Sequence, residues 1–131
     1  MSDQTTPDTT VNGISRVKTV GTPAVLLADI PLSPGGGVRV AINVAAKSFV
    51  GTAGSVFLNA YADADSPLSG APTVTLTLPS DETNGSGGAS GWTGLAASAV
   101  LVGGVYHLQV TVAGAASTSI NWCGTWRITQ V

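Results

Sequence analysis

The amino-acid sequence predicts an all-β fold, a two-sheet antiparallel β-sandwich of the jelly-roll or immunoglobulin-like kind with an extended N-terminal arm. Several segments alternate apolar and polar residues with a period of two, which is the pattern of a half-buried strand. No segment shows the i, i+3, i+4 apolar spacing of an amphipathic helix. The 131 residues include 17 Gly and 7 Pro, which divide the alternating segments into seven or eight short strands. Short strands at close spacing are typical of sandwiches.

The predicted strands follow one another where this alternation occurs. The clearest one covers residues 38–46, in which apolar side chains share one face and polar residues such as Arg39 and Asn43 share the other. It follows the turn SPGGG, whose glycines adopt positive φ without steric cost. In the last strand Trp122 and Trp126 share one face, and we expect both indoles to anchor the core between the sheets. The predicted strands are residues 14–20, 24–30, 38–46, 56–62, 73–78, 95–102, 106–112 and 120–128.

Two regions are expected along the chain, an extended arm at residues 1–13 and one sandwich domain at residues 14–131. The arm is polar and has no periodicity, so we expect it to become ordered only against a neighbouring subunit. It lacks the basic and apolar regions of a signal peptide, and no apolar run is long enough for a membrane span. We therefore expect synthesis in a host cytoplasm and no membrane partner. The single cysteine, Cys123, excludes a disulfide scaffold and is predicted to be a packing residue.

The charge content is low, with five Lys or Arg, seven Asp or Glu and a formal net charge of −2. So few cations argue against nucleic-acid binding, which requires a basic stripe. The apolar residues are mainly small, so the predicted core is thin. The outward strand positions carry Ala, Thr, Asn and Gln where a soluble monomer carries Lys and Glu. We therefore expect partners, including further copies of the chain, to cover much of the surface.

No constellation of residues indicates an enzyme, and we expect no cofactor and no metal. His107 is the single histidine and is predicted to be an exposed or interfacial strand residue, because no nucleophile motif accompanies it. Asp63 and Asp65 have the i, i+2 spacing found in calcium loops, but no further carboxylate follows at ligand distance. An Asx-type turn in the connection at residues 63–70 explains this pair equally well.

A long Gly- and Ser-rich loop is predicted at residues 79–91, immediately before Trp92. An indole face can stack on a sugar ring while nearby polar groups bind its hydroxyls, so this loop is a candidate glycan-binding site. We prefer the alternative in which Trp92 packs back on the core. The candidate glycan-binding residues are Asp81, Glu82, Asn84 and Trp92.

Two stretches resemble small β-sandwich modules of tailed-bacteriophage virion proteins. They are IPLSPGGGVRVAINVAAKSFVGTAGSVFLNAYA (residues 30–62) and GGVYHLQVTVAGAASTSINWCGTWRITQV (residues 103–131), about half of the chain. The resemblance lies in a V-x-V-x-x-x-V-x-A strand in the first stretch and in L-x-V-x-V-x-G followed by T-x-I-x-W in the second. Such modules occur in capsid decoration (cement) proteins and in tail fibres and spikes.

This resemblance implies a non-enzymatic virion structural protein, a capsid decoration protein that binds and stabilises the assembled capsid from its outer surface. It implies the major capsid protein as a partner and a homotrimer as the oligomeric state. A protein that binds only the assembled lattice stabilises that lattice by mass action. The alternative is a carbohydrate- or receptor-binding module of a phage tail fibre or adhesin. The expected partner-binding residues are Asp3, Gln4, Thr5, Thr6, Pro7, Asp8, Thr9, Thr10, Val11, Asn12, Arg16 and Lys18.

Overall fold

The computed structural model describes residues 12–51, 54–77, 84–87 and 94–130, and these residues form an antiparallel β-sandwich. The prediction of an all-β, two-sheet fold is therefore confirmed. Within these ranges no helix is long and apolar enough to cross a membrane. The described strands are β1 (Asn12–Val20), β2 (Val25–Pro31), β3 (Gly37–Val50), β4 (Gly54–Asp65), β5 (Thr73–Thr77), β6 (Asn84–Gly87), β7 (Ala96–Val102), β8 (Val105–Val112) and β9 (Ser119–Gln130).

The strands form two sheets in which every pair is antiparallel. The larger sheet has six strands in the order β1-β9-β3-β4-β5, with β6 also paired to β4. The smaller sheet has three strands in the order β2-β8-β7. The first two described strands therefore lie in different sheets, whereas the first two strands of an immunoglobulin domain are neighbours in one sheet. Of the two topologies that the sequence left open, the immunoglobulin-like one does not fit this order.

The core lies between the two sheets and is filled by the alternating apolar positions of the strands. Trp122 is the largest fully buried side chain, and its indole Nε1–H donates a hydrogen bond to Thr19 Oγ1 at 2.9 Å. Trp126 is half-buried and packs at the margin of the core, so the two indoles anchor the interior unequally. Gly124, between them, is buried against Leu27 of the opposite sheet. The buried apolar residues are mostly Val, Ala and Leu, as the composition indicates.

Three local predictions differ from the structure. β1 begins at Asn12, so Asn12 and Gly13, which the sequence assigned to the arm, are strand residues paired with β9. β4 continues through Asp65, so Asp63 and Asp65 lie in a strand and not in a turn. Antiparallel pairing with β3 extends β4 beyond its clearest apolar alternation. The Asx-turn interpretation of these two carboxylates is therefore wrong.

The third difference concerns the segment at residues 79–91, which was predicted as a continuous loop. Four of its residues form β6, which pairs with Gly54–Phe57 of β4. The sequence of β6 is NGSG and contains no apolar alternation, so no strand signal is present. Pairing with the existing edge of β4 supplies the hydrogen bonds that stabilise this strand.

Candidate functional site: a cationic sheet face

The outer face of the six-stranded sheet carries all five cationic side chains of the chain. Successive side chains of a strand point to opposite faces, and each cation occupies an outward position whose neighbours point into the core. All five residues are exposed. We call this surface the cationic face. Its cations are Arg16 and Lys18 on β1, Arg39 and Lys47 on β3, and Arg127 on β9.

Three of these cations are grouped towards one end of the sheet. The register places Asn121 of β9 between Lys18 of β1 and Lys47 of β3. Because neighbouring strands lie about 4.8 Å apart, the Cα atoms of the two lysines are about 10 Å from each other. Arg16 follows on the same face of β1, and Lys18 Nζ lies 5.9 Å from the centroid of the Phe49 ring. This end of the face combines positive charge with an exposed aromatic ring.

The opposite end of the cationic face contains the carboxylates. Arg39 Nε and Nη2 donate hydrogen bonds to the two carboxylate oxygens of Asp63, at 2.7 Å and 3.0 Å. The Arg39 guanidinium also lies 5.3 Å from the centroid of the Tyr61 ring. The hydrogen bond from Arg39 lowers the pKa of Asp63, and the hydrogen bond to Asp63 raises the pKa of Arg39. Asp65 lies further along the same side of β4.

The cations of the chain are therefore concentrated on one face. Counted over the described residues, five cations and two carboxylates give the cationic face a formal charge of +3, although the whole chain has a net charge of −2. Among the described residues, Arg39 is the one cation of this face with an ion-pair partner. Asp29 is on the three-stranded sheet, and the remaining four carboxylates fall outside the described ranges. A surface of this kind favours a partner that presents negative charge.

Apolar side chains are also exposed on the cationic face. Ile14 and Phe57 are each 57 % exposed, and Phe49 is 50 % exposed. Between the cations and Phe57, the small residues Ala45 and Cys123 line a shallow depression of about 270 Å³. Cys123 is a half-buried free thiol on this outer face. Exposed apolar groups beside charged ones are characteristic of protein–protein interaction surfaces.

The structure brings together part of the predicted partner-binding set. Arg16 and Lys18 are exposed on the cationic face, and Asn12 is the first residue of β1, opposite Arg127. The other predicted arm residues, 3–11, lie outside the described part of the chain. Sequence reasoning missed Lys47 and Arg127 as members of the same surface. The alternation of residues in β3 and β9 indicates that both side chains point outward. It does not indicate that β1, β9 and β3 are neighbours in one sheet.

The predicted glycan-binding residues are mostly outside the described ranges. This applies to Asp81, Glu82 and Trp92. Asn84 is the first residue of β6 and pairs in register with Phe57 of β4. The prediction for this set stays a prediction.

The outer face of the three-stranded sheet has a different character. His107 of β8 is half-buried, and its Nδ1 lies 2.8 Å from Oδ1 of Asp29 on the neighbouring strand β2. The histidine thus has a cross-strand carboxylate partner. Within the described residues no three His, Cys, Asp or Glu side chains are grouped so that they could hold a metal ion.

Comparisons with known proteins give one structural similarity. No family model matches the chain, and no curated protein matches it. The crystal structure of the Acinetobacter baumannii phage AM24 tailspike protein is similar, with a TM-score of 0.47 and 13 % sequence identity. The similarity covers 88 % of this chain and 25 % of that one, so the chain spans about a quarter of the tailspike's length. The class that the fold itself defines is the antiparallel β-sandwich.

Proposed function

We propose that this chain is a non-enzymatic structural protein of a phage virion, a capsid decoration protein that docks on the assembled shell through its cationic face. The observation that carries this proposal is the concentration of all five cations on one open sheet face of an otherwise acidic chain. The resemblance of residues 30–62 and 103–131 to virion sandwich modules supports the choice of a shell as the partner.

The composition of the cationic face suits a broad protein surface better than a small ligand. Arg16 and Lys18 on β1 and Lys47 on β3 lie on the two sides of β9. The depression that Arg16 and Lys18 border is wide open to solvent and does not enclose a small molecule. Exposed charges of this kind orient and accelerate association, while Ile14 and Phe57 supply apolar contact area. Each ion pair at an exposed site contributes only about 0.2–1 kcal/mol. Association between copies would compensate for this weakness, because linked copies contact several equivalent shell sites at once.

The N-terminal arm supplies a second contact in this proposal. β1, which carries Arg16 and Lys18, continues directly from the arm at Asn12. An arm that docks beside the cationic face extends the contact over the same partner. Ordering of the arm on binding costs conformational entropy, which lowers the net affinity that the arm adds.

The test measures binding to capsids of the phage that encodes the chain, after the capsids have been stripped of this protein. Purified full-length chain is added, and bound protein is quantified after sedimentation over a range of salt concentrations. Arg16→Gln/Lys18→Gln should weaken binding about 2- to 30-fold at low salt, from the loss of two exposed ion pairs. The difference between the variant and the wild type should shrink as salt rises. Deletion of residues 1–11 should also weaken binding and leave the β-sheet circular-dichroism signal unchanged.

A matched control changes the same net charge on the other side of the molecule. Gln109→Glu/Thr111→Glu alters outward positions of β8 on the three-stranded sheet and should bind capsids like the wild type. Equal weakening by both double variants would show a net-charge effect without a docking face and would contradict the proposal. Absence of binding between the wild-type chain and stripped capsids would also contradict the proposal, as would preferential binding to duplex DNA. Binding to a glycan array that Trp92→Ala abolishes would favour the receptor-binding alternative instead.

A further inference from the structure

The free edge of β7 differs from the protected edges on the other side of the sandwich. β1 carries Arg16 and Lys18, and β2 contains Asp29, Pro31 and a register shift between Leu26 and Ala28. Charges, prolines and bulges are the features that prevent sheet edges from pairing with other chains. β7 has the sequence AASAVLV, pairs with β8 without a register shift and contains none of these features. Within the described residues, no strand pairs with its other edge.

The exposed side chains of β7 are apolar at its C-terminal end. Leu101 is 57 % exposed and Val102 is 42 % exposed. The two-residue turn at Gly103 and Gly104, with φ of 57° and 85°, joins β7 to β8 and leaves Val105 exposed beside them. A seven-residue edge with unprotected backbone groups and apolar side chains is suited to strand addition.

We propose that β7 pairs antiparallel with β7 of a second copy of this chain, in a two-fold register centred on Ala99. This register places Ala96 opposite Val102 and Ala97 opposite Leu101 of the partner strand. Every large side chain of one strand then meets a small one of the other, because the N-terminal half of β7 is small and its C-terminal half is large. Such self-complementarity is the requirement for an isologous two-fold interface.

The charge distribution also selects this edge over the cationic face as the contact between copies. Two cationic faces would bring formal charges of +3 against each other, whereas two β7 strands bring no charge at all. The three-stranded sheets of the two copies would join into one continuous sheet, which runs β2-β8-β7 in one copy and then β7-β8-β2 in the other. The two-fold axis of this pairing is perpendicular to the sheet, so a rotation about it leaves the outward direction unchanged. Both cationic faces would therefore point to the same side, where one flat partner could contact both.

This inference concerns a dimer and is independent of capsid binding, and it departs from the homotrimer that the resemblance implies. The first experiment measures the molar mass of the full-length chain by light scattering after size-exclusion chromatography. The wild type should be a dimer, and Val100→Lys should be a monomer with an unchanged circular-dichroism spectrum, because two lysines would face the same interface. Val20→Lys is the matched control, since Val20 is an exposed apolar residue of β1 on the opposite side of the sandwich. It should remain dimeric.

A second experiment tests the register and traps even a weak dimer covalently. In a Cys123→Ser background, Ala99→Cys should form a cross-linked dimer on oxidation, because directly opposed Cα atoms lie about 4.5–5.5 Å apart, within the range of a disulfide. Ala97→Cys should not, because each Ala97 is opposite Leu101 and far from its own copy. A wild-type monomer or trimer, a dimer that persists in Val100→Lys, or equal cross-linking of both cysteine variants would overturn the proposal. Val100→Lys and the two β7 cysteine substitutions lie on the three-stranded sheet and leave the cations unchanged, so the dimer can fail while capsid docking stands, and the reverse.

Discussion

The buried hydrogen bond between Trp122 and Thr19 gives the sharpest test of how the fold holds the cationic face. Trp122 is 2 % exposed and Thr19 is fully buried, and the indole N–H donates to the threonine hydroxyl at 2.9 Å. Thr19 is in β1 beside Lys18, so this bond ties the strand that carries two cations to the centre of the core. The substitution Thr19→Val preserves the side-chain shape and removes the acceptor.

The expected effect follows from the loss of that one acceptor. A buried donor without a partner costs about 1–3 kcal/mol of folding free energy. For a domain of this size, that loss lowers the melting temperature by about 3–12 °C. Trp122→Phe removes the donor and also leaves a cavity, so it should be the more destabilising single change. The double variant Thr19→Val/Trp122→Phe should lose less stability than the sum of the two single losses, because it buries neither a donor nor an acceptor without a partner.

Thermal unfolding by circular dichroism, at one fixed protein concentration, measures all four proteins of this cycle. Thr129→Val is the control, because Thr129 is an exposed outward residue of β9, the strand that contains Trp122. It should melt close to the wild type. Equal melting temperatures for Thr19→Val and Thr129→Val, or simple addition of the effects of the two core substitutions, would contradict this role of the hydrogen bond.

Three further predictions concern the core, the ion pair and Trp92. Gly124→Ala should destabilise the fold by about 1–3 kcal/mol in chemical denaturation, because its new Cβ would lie 2.8 Å from Leu27 Cδ2. In a Leu27→Ala background, Gly124→Ala should cost less than it does in the wild type, and an equal cost in both backgrounds would contradict this contact. The pKa of Asp63 is lowered in the folded protein by its pairing with Arg39. The stability that this pairing contributes is therefore fully present above the unfolded-state pKa of about 3.9, and it is lost as pH falls through the lower folded-state pKa. Melting curves should therefore show wild type above Asp63→Asn at pH 6 and the two converging towards pH 2, and a constant gap over this range would refute the linkage. If shell docking is the function, the wild type and Trp92→Ala should both give background signals on a glycan array. A signal from the wild type that Trp92→Ala removes would contradict that expectation.

Much of the fold was accessible from the alternation of residue types. The strand at residues 38–46 and the inward positions of Leu108 and Val110 follow directly from a period of two. β6 was not accessible, because NGSG has no side-chain pattern and forms a strand only beside β4. The extension of β4 to Asp65 was missed for a related reason, since charged residues at its end are stabilised as strand by their neighbours.

The candidate site was accessible only in part. Arg16 and Lys18 belong to the partner-binding set predicted from the sequence, and Arg39 was assigned to an outward face. Nothing local connects them with Lys47 or Arg127. The counted total of five cations suggested a weakly charged surface, whereas the structure concentrates them on one face.

The sequence by itself determined that the chain forms strands, where most of them lie, and which side chains share a face of each strand. These properties depend on the period of two and on turn residues, and both are local. The tertiary structure alone decided that β9 lies between β1 and β3, which brings Lys18 and Lys47 into one row of the same face. Strand order and register depend on contacts between residues about a hundred positions apart, and no local pattern specifies such contacts.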